Sequence, residues 1–160
     1  MARTREQETV ASFADEYPFE IRPSPMQGLG AFATRFIPKG TRLIEYTGER
    51  LTEAEADARY PDDGTRHHTF LFAIDDDVVI DAAVGGNEAR YINHSCAPNC
   101  DAVIDGDRLW IETIRNIKPG DELAYDYAYE LDEPHTPELQ ARFPCNCGAK
   151  RCRGSILIRK

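Results

Sequence analysis

Three thiols within eight residues, Cys145-x-Cys147-x4-Cys152, constrain this chain more than any other feature of its sequence. The residues between and beside them (Asn146, Gly148, Ala149, Lys150, Arg151, Gly154) make a polar loop, so these thiols do not read as core filling. Lys150, Arg151 and Arg153 lower thiol pKa values and favour thiolate ligands. A closed tetrahedral zinc site needs a fourth ligand. Cys96 is preferred because it adjoins the pair Asn93-His94; Cys100 reads as a small buried hydrophobe. His135 is a weaker fourth candidate, and His67 and His68 are assigned nothing. One Zn²⁺ held by Cys96, Cys145, Cys147 and Cys152 requires the tail to fold back on the middle of the chain, coupling metal to site assembly. The alternative is a set of reactive or merely buried thiols without metal. The polar start, Met1 to Glu8, is no secretory signal, so a reducing compartment is expected, where clustered cysteines suggest metal more than disulfides.

The rest of the chain is punctuated into short strands. Residues 1–16 read as a polar arm with one short helical possibility. Strand patterns follow at Phe19 to Arg22, Ala31 to Ala33 and Arg42 to Tyr46, separated by Pro23-Ser24-Pro25 and Pro38-Lys39-Gly40. Thr52 and Glu55 form a capping-box pattern that opens a helix from Glu53 to Arg59, stopped by Pro61; Asp62-Asp63-Gly64 is loop. Phe70 to Ile74 and Val78 to Ile80 read as a hairpin. Ala102-Val103-Ile104 and Leu109-Trp110-Ile111 read as another, turning at Asp105-Gly106 with a type I′ geometry. Glu122 to Tyr125 is a strand, and Thr136-Pro137 caps a short helix to about Arg142. No βα alternation and no internal repeat is present. The expected class is mostly β (α+β), with a small metal-stabilised C-terminal appendage.

Between these elements, Tyr91-Ile92-Asn93-His94-Ser95-Cys96-Ala97-Pro98-Asn99-Cys100 has little helical or strand character and reads as the wall of a binding site. Together with Gly28-Leu29-Gly30-Ala31-Phe32-Ala33, Glu45-Tyr46-Thr47-Gly48-Glu49, Gly120-Asp121-Glu122-Leu123-Ala124-Tyr125-Asp126-Tyr127 and the terminal cysteine segment, it resembles the SET-domain family of protein lysine methyltransferases. The resemblance, trithorax-like in motif pattern, runs from about Phe19 to Lys160. It implies a SET β-fold of small twisted sheets with a C-terminal pseudoknot, a core over 17–130 and a post-SET zinc segment over 131–160.

It also implies S-adenosylmethionine as methyl donor and a lysine amine as acceptor, the two meeting in a narrow channel. By position, Tyr127 orients the amine and Tyr46 lines the lysine channel. Tyr125 stands where tyrosine goes with lower degrees of methylation, which implies mono- or dimethylation. The donor is implied to contact Gln27, Gly28, Leu29, Gly30, Ala31, Phe70, Arg90, Asn93, His94, Asn146 and Leu157. Phe70 stands where trithorax-like members carry an active-site tyrosine, and Leu157 where some members carry a tryptophan over the donor. Arg90 either meets the donor's carboxylate or pairs with an acidic neighbour. Without the motifs, Tyr46 and Tyr127 read as buried strand tyrosines and Asn93-His94 as a turn.

The net charge of −9 argues against sequence-independent nucleic-acid binding and fits a basic, lysine-containing partner such as a histone-like tail. Asp126, Glu130, Asp132, Glu133 and Glu138 gather beside the site motifs. Solubility alone is the plainer explanation of the charge. No apolar run approaches the roughly 20 residues of a membrane span. The expected location is cytoplasmic in a bacterium, with a nuclear or host-targeted protein as alternatives. Two other functions compete: a non-catalytic peptide-binding SET module, and a zinc hydrolase, which needs an open coordination position.

Overall fold

The structure is a computed structural model and describes residues 17–61, 70–131 and 133–158. The expected N-terminal arm, the loop at Asp62-Asp63-Gly64, and His67 and His68 lie outside them. Among the described residues, ten short strands form three sheets. β1 (Phe19–Pro23) pairs antiparallel with β2 (Leu29–Ala33). β3 (Arg42–Glu45), β9 (Arg108–Thr113), β8 (Cys100–Asp105), β10 (Ala124–Tyr125) and β7 (Asn93–His94) make the second sheet, in that order. β4 (Glu49–Leu51), β6 (Val79–Asp81) and β5 (Leu71–Ala73) make the third. Two helices, α1 (Glu53–Arg59) and α2 (Pro137–Arg142), and a 3₁₀ turn at Glu88–Tyr91 complete the described elements.

Local chemistry sets most of these boundaries. Thr52 Oγ1 accepts from the Glu55 N–H at 3.1 Å and Glu55 reaches back to the Thr52 N–H, so the expected capping box opens α1. Thr136 caps α2 with Pro137 at its first turn. The β8–β9 hairpin departs from expectation by one residue. Asp105 pairs with Arg108, so Gly106-Asp107 is the two-residue turn. Gly106 has φ +64° and Asp107 is not among the positive-φ residues, which matches a type II′ turn rather than type I′. Glycine at the first central position decides it.

The core lies between the three sheets. Phe19, Ile37, Ile44, Ile80, Ile92, Leu109, Ile111 and Leu123 are buried there. Each such side chain contributes about 1.5–3 kcal/mol by leaving water. The tail carries a second small core of Leu139, Phe143 and Leu157. Between the two, β10 is enclosed by a continuous stretch of chain. It pairs in parallel with β7 on one side and meets Cys100 of β8 on the other. The loop joining β7 to β8 clasps it: Ser95 N–H donates to Tyr125 O at 3.2 Å and Asn99 N–H to Ala124 O at 3.2 Å. The Asn99 side chain adds a bond to Glu122 O and accepts one from Ala124 N–H. This enclosure corresponds to the threading that the resemblance implies.

Candidate active site

Both halves of the expected site open on one cavity of about 940 Å³. At one end four aromatic rings meet. Tyr46 and Phe72 have centroids 5.6 Å apart, Phe72 and Tyr125 6.2 Å, Tyr125 and Tyr127 4.8 Å. The Tyr46 hydroxyl donates to Phe70 O at 2.9 Å and the Tyr127 hydroxyl to Ile92 O at 2.7 Å. Each donation fixes the ring and leaves oxygen lone pairs facing outward. Tyr125 is buried, and its hydroxyl donates to no described residue. Burial raises all three phenols above the ordinary tyrosine value.

At the other end the wall is polar. Gln27, Gly28, Leu29, Arg90, Asn93, His94 and Asn146 line it, with Phe70 at the junction. The described partners of Arg90 are Tyr91 Oη at 2.7 Å and Ala82 O at 3.4 Å, and among the described residues no carboxylate pairs with it. Its Nε is buried without a partner. A guanidinium in that state on a cavity wall fits an anionic ligand group. Asn93 lines the same wall, and its carbonyl oxygen accepts from no described residue. The residues present therefore fit a donor with a carboxylate and an amine.

Three expected contacts are not on this wall. Gly30 and Ala31 are buried behind it. A Cβ on Gly30 would lie 2.6 Å from Glu122 Oε2, so this glycine makes room for a carboxylate rather than for a ligand. Leu157 is 2% exposed and packs with Leu139 and Phe143, while Ile156, Phe143 and Pro144 face the cavity. The strand-like alternation of the tail turns Leu157 inward and Ile156 outward.

The thiols Cys96, Cys145, Cys147 and Cys152 converge, all Sγ atoms lying within 4.8 Å of one another. Cys96 is 3.8 Å from Cys145 and 4.0 Å from Cys152. A tetrahedron of Zn–S bonds near 2.3 Å has S···S edges of roughly 3.8 Å, so this donor set could hold a metal ion. His135 is not part of it: its Nδ1 lies 2.8 Å from Ile158 O and its Nε2 accepts from Leu131 N–H. Cys100 is buried in the main core, and desolvation pushes its thiol up to about 12.

His94 joins the thiol cluster to the aromatic end. Its Nδ1 accepts the Tyr127 N–H at 3.0 Å, so the ring proton sits on Nε2, which lies 3.4 Å from Cys96 Sγ. Asp126 is held by Arg153 through two bonds of 2.7 and 3.0 Å, tying the tail to β10's end. It is thus engaged inside the protein, not facing a basic partner. Glu130 lines the cavity, Glu133 and Glu138 are exposed, and Asp132 lies outside the described residues.

Sequence reasoning missed Glu122, Ser24 and Phe72. Phe72 could have been found from its strand position two residues from Phe70. Nothing local marks Glu122, the second of two adjacent acidic residues that precede the apolar run into β10.

The SET domain family model matches residues 28–128. The chain is similar to a protein named histone-lysine N-methyltransferase, H3 lysine-4 specific, from Schizosaccharomyces pombe, with 45% identity over 141 residues, covering 84% of this chain and 14% of that protein. It is 40% identical over 136 residues to histone-lysine N-methyltransferase trr of Drosophila melanogaster, covering 81% of this chain and 5% of that protein. It is 39% identical over 137 residues to human histone-lysine N-methyltransferase 2D, covering 81% of this chain and 2% of that one. The chain thus spans a small part, 14% or less, of the length of these curated relatives.

Proposed function

This chain belongs to the SET-domain family, and from that premise we propose that it is a lysine N-methyltransferase. It transfers methyl from S-adenosylmethionine to a lysine of a basic, histone-like protein. The observation that carries the reading is the single cavity whose two ends differ: a ring-lined end holding Tyr46, Tyr125 and Tyr127, and a polar end holding Arg90, Asn93, His94 and Asn146. When bound, the donor supplies a methyl carbon activated by a sulfonium charge.

The chain's own residues do the rest. Arg90 takes a carboxylate, and Asn93 takes an amine. Lysine reacts only as the neutral amine, and its ordinary pKa near 10.4 leaves little of that form at neutral pH. The apolar ring walls disfavour the ammonium. Tyr127 and Tyr46 cannot serve as phenolate bases, because burial raises both. Their hydroxyls, already donating to Ile92 O and Phe70 O, present lone pairs that accept the amine N–H bonds and aim the nitrogen lone pair. Such alignment can supply several kcal/mol of the barrier reduction, roughly. The ring faces then stabilise the positive charge that develops on nitrogen. The undonated Tyr125 hydroxyl can hold a water in the space a further methyl needs, which supports mono- or dimethylation.

One structural zinc ion on Cys96, Cys145, Cys147 and Cys152 would be coordinatively closed by four thiolates, which speaks against hydrolysis at the metal. Those thiolates, with the Arg153–Asp126 pair, would secure the tail that carries Asn146. The proposed division is a catalytic core over 17–130 and a zinc segment over 131–160.

The test is radiolabelled methyl transfer to histones and to other basic proteins. Label on a lysine, lost in Tyr127→Phe while donor binding persists, is the expected result. Donor binding with no transfer to any lysine protein overturns the catalytic reading in favour of a peptide-binding module.

A further inference from the structure

Glu122 stands just behind the polar wall and reaches three elements. Its Oε1 and Oε2 accept from the Ser24 hydroxyl at 2.7 and 2.9 Å. Its Oε2 accepts from Asn93 Nδ2 at 2.9 Å. Gly30 of β2 lies against the same oxygen, and only the missing Cβ allows it. Gly30 has no positive φ, so the requirement is space, not backbone conformation.

The consequence falls on Asn93. Its amide nitrogen faces Glu122 Oε2, Leu29 O at 3.1 Å and Gln27 O at 3.3 Å, three acceptors and no donor. A flipped amide would set its oxygen against three oxygens, so the orientation is decided by the surroundings. The Asn93 Oδ1 accepts from no described residue, and the side chain lines the cavity. What Asn93 offers a ligand is therefore an acceptor, suited to an ammonium and unsuited to a carboxylate.

Glu122 sustains this arrangement in two ways. It supplies the shortest of the three bonds to Asn93. It also tethers the turn that carries the other two acceptors, since Ser24 Oγ accepts from Met26 N–H at 3.0 Å and Ser24 N–H donates to Gly28 O at 2.8 Å. We propose that Glu122 is a positioning residue that holds Asn93 as the acceptor for the α-ammonium of the methyl donor, making the site selective for donors that carry that amine. This rests on the reading of the cavity as a donor site.

Calorimetric binding of S-adenosylhomocysteine, and of its analogue without the α-amino group, tests it. Wild type should bind the analogue about tenfold or more weakly, the scale of one charge-assisted hydrogen bond. Glu122→Met keeps the side chain's length and removes its acceptors. It should lose about tenfold in affinity for S-adenosylhomocysteine and less than about twofold for the analogue, erasing the discrimination. Glu122→Gln keeps an acceptor oxygen and should preserve it. Gly30→Ala keeps every polar atom but displaces Glu122, and should repeat the selective loss; it decides the matter if Glu122→Met does not fold. Equal weakening of both ligands, or unchanged discrimination in Glu122→Met and Gly30→Ala, overturns the role of Glu122 alone. A wild type that binds neither ligand overturns the donor-site reading and this role with it.

Discussion

Tyr46, Tyr125 and Tyr127 place three phenols on one cavity, and each is raised above its ordinary value first by burial. For an acid neutral when protonated, a raised folded value means that the folded state binds the proton more tightly than the unfolded one. The linked stability is fully present below about pH 10, the unfolded value, and is lost as pH rises above it. Urea unfolding at pH 8 and above pH 10 should therefore show a steep alkaline loss, shallower in Tyr125→Phe. Phenolate absorbance should appear together with unfolding rather than before it. Tyr125→Phe should also raise the degree of methylation, read by mass spectrometry of the product; unchanged methylation states would remove the water argument. Tyr127→Phe should cut transfer by roughly 10²-fold or more, since misplacement of about 1 Å is enough for that. At this scale the motifs singled out the phenols, Asn93 and Arg90 as candidates, and the structure brings them to one cavity. The sequence could not choose between Arg90's two partners, because that choice depends on which carboxylates the fold leaves within reach.

Among the elements, the sequence marks those whose cause is local. Thr52 with Glu55 and Thr136 with Pro137 both start helices where their side chains demand it. Thr52→Ala should cost about 1 kcal/mol, a melting shift of roughly 2–4 °C for a chain of this size. Gly48→Ala should be worse: a Cβ there runs into the Asp81 carbonyl, which belongs to the strand paired with β4. Thermal melting of both variants checks the order, Gly48→Ala below Thr52→Ala. By contrast, β7 and β10 span two residues each and were not legible as a pair. Glu122 to Tyr125 reads as a strand, of which Ala124–Tyr125 is paired as β10, whereas Asn93–His94 has no alternation long enough to read. The two pair only because the loop 95–99 brings Asn93–His94 beside Ala124–Tyr125. The β8–β9 turn shows the same limit more gently: Gly106 marks the bend, but the pairing of Asp105 with Arg108 sets which residue comes first in it.

Across the whole molecule, the thiol cluster joins Cys96 to a tail that begins far along the chain, and His94 relays that junction to Tyr127. Metal analysis should find one zinc per chain. Chelation or Cys96→Ser should release the tail, abolish donor binding and lower the melting temperature, while far-UV dichroism keeps most of the strand signal of the 17–130 core. Retained donor binding in the metal-free protein would detach the tail from the site. What the sequence by itself determined is local: thiols spaced for a metal, and the caps that open the helices; the phenols, the guanidinium and the amide became candidates for an amine and a donor only through the family resemblance of their motifs. Spacing can reveal the first group because ligands and caps act over a few residues. Only the tertiary structure decided that Leu157 turns inward and Ile156 outward, that Gly30 yields its space to Glu122, and that Glu122 orients Asn93. Those outcomes depend on the register between distant strands, which no local pattern encodes, because each side chain's neighbours come from elements remote in the chain.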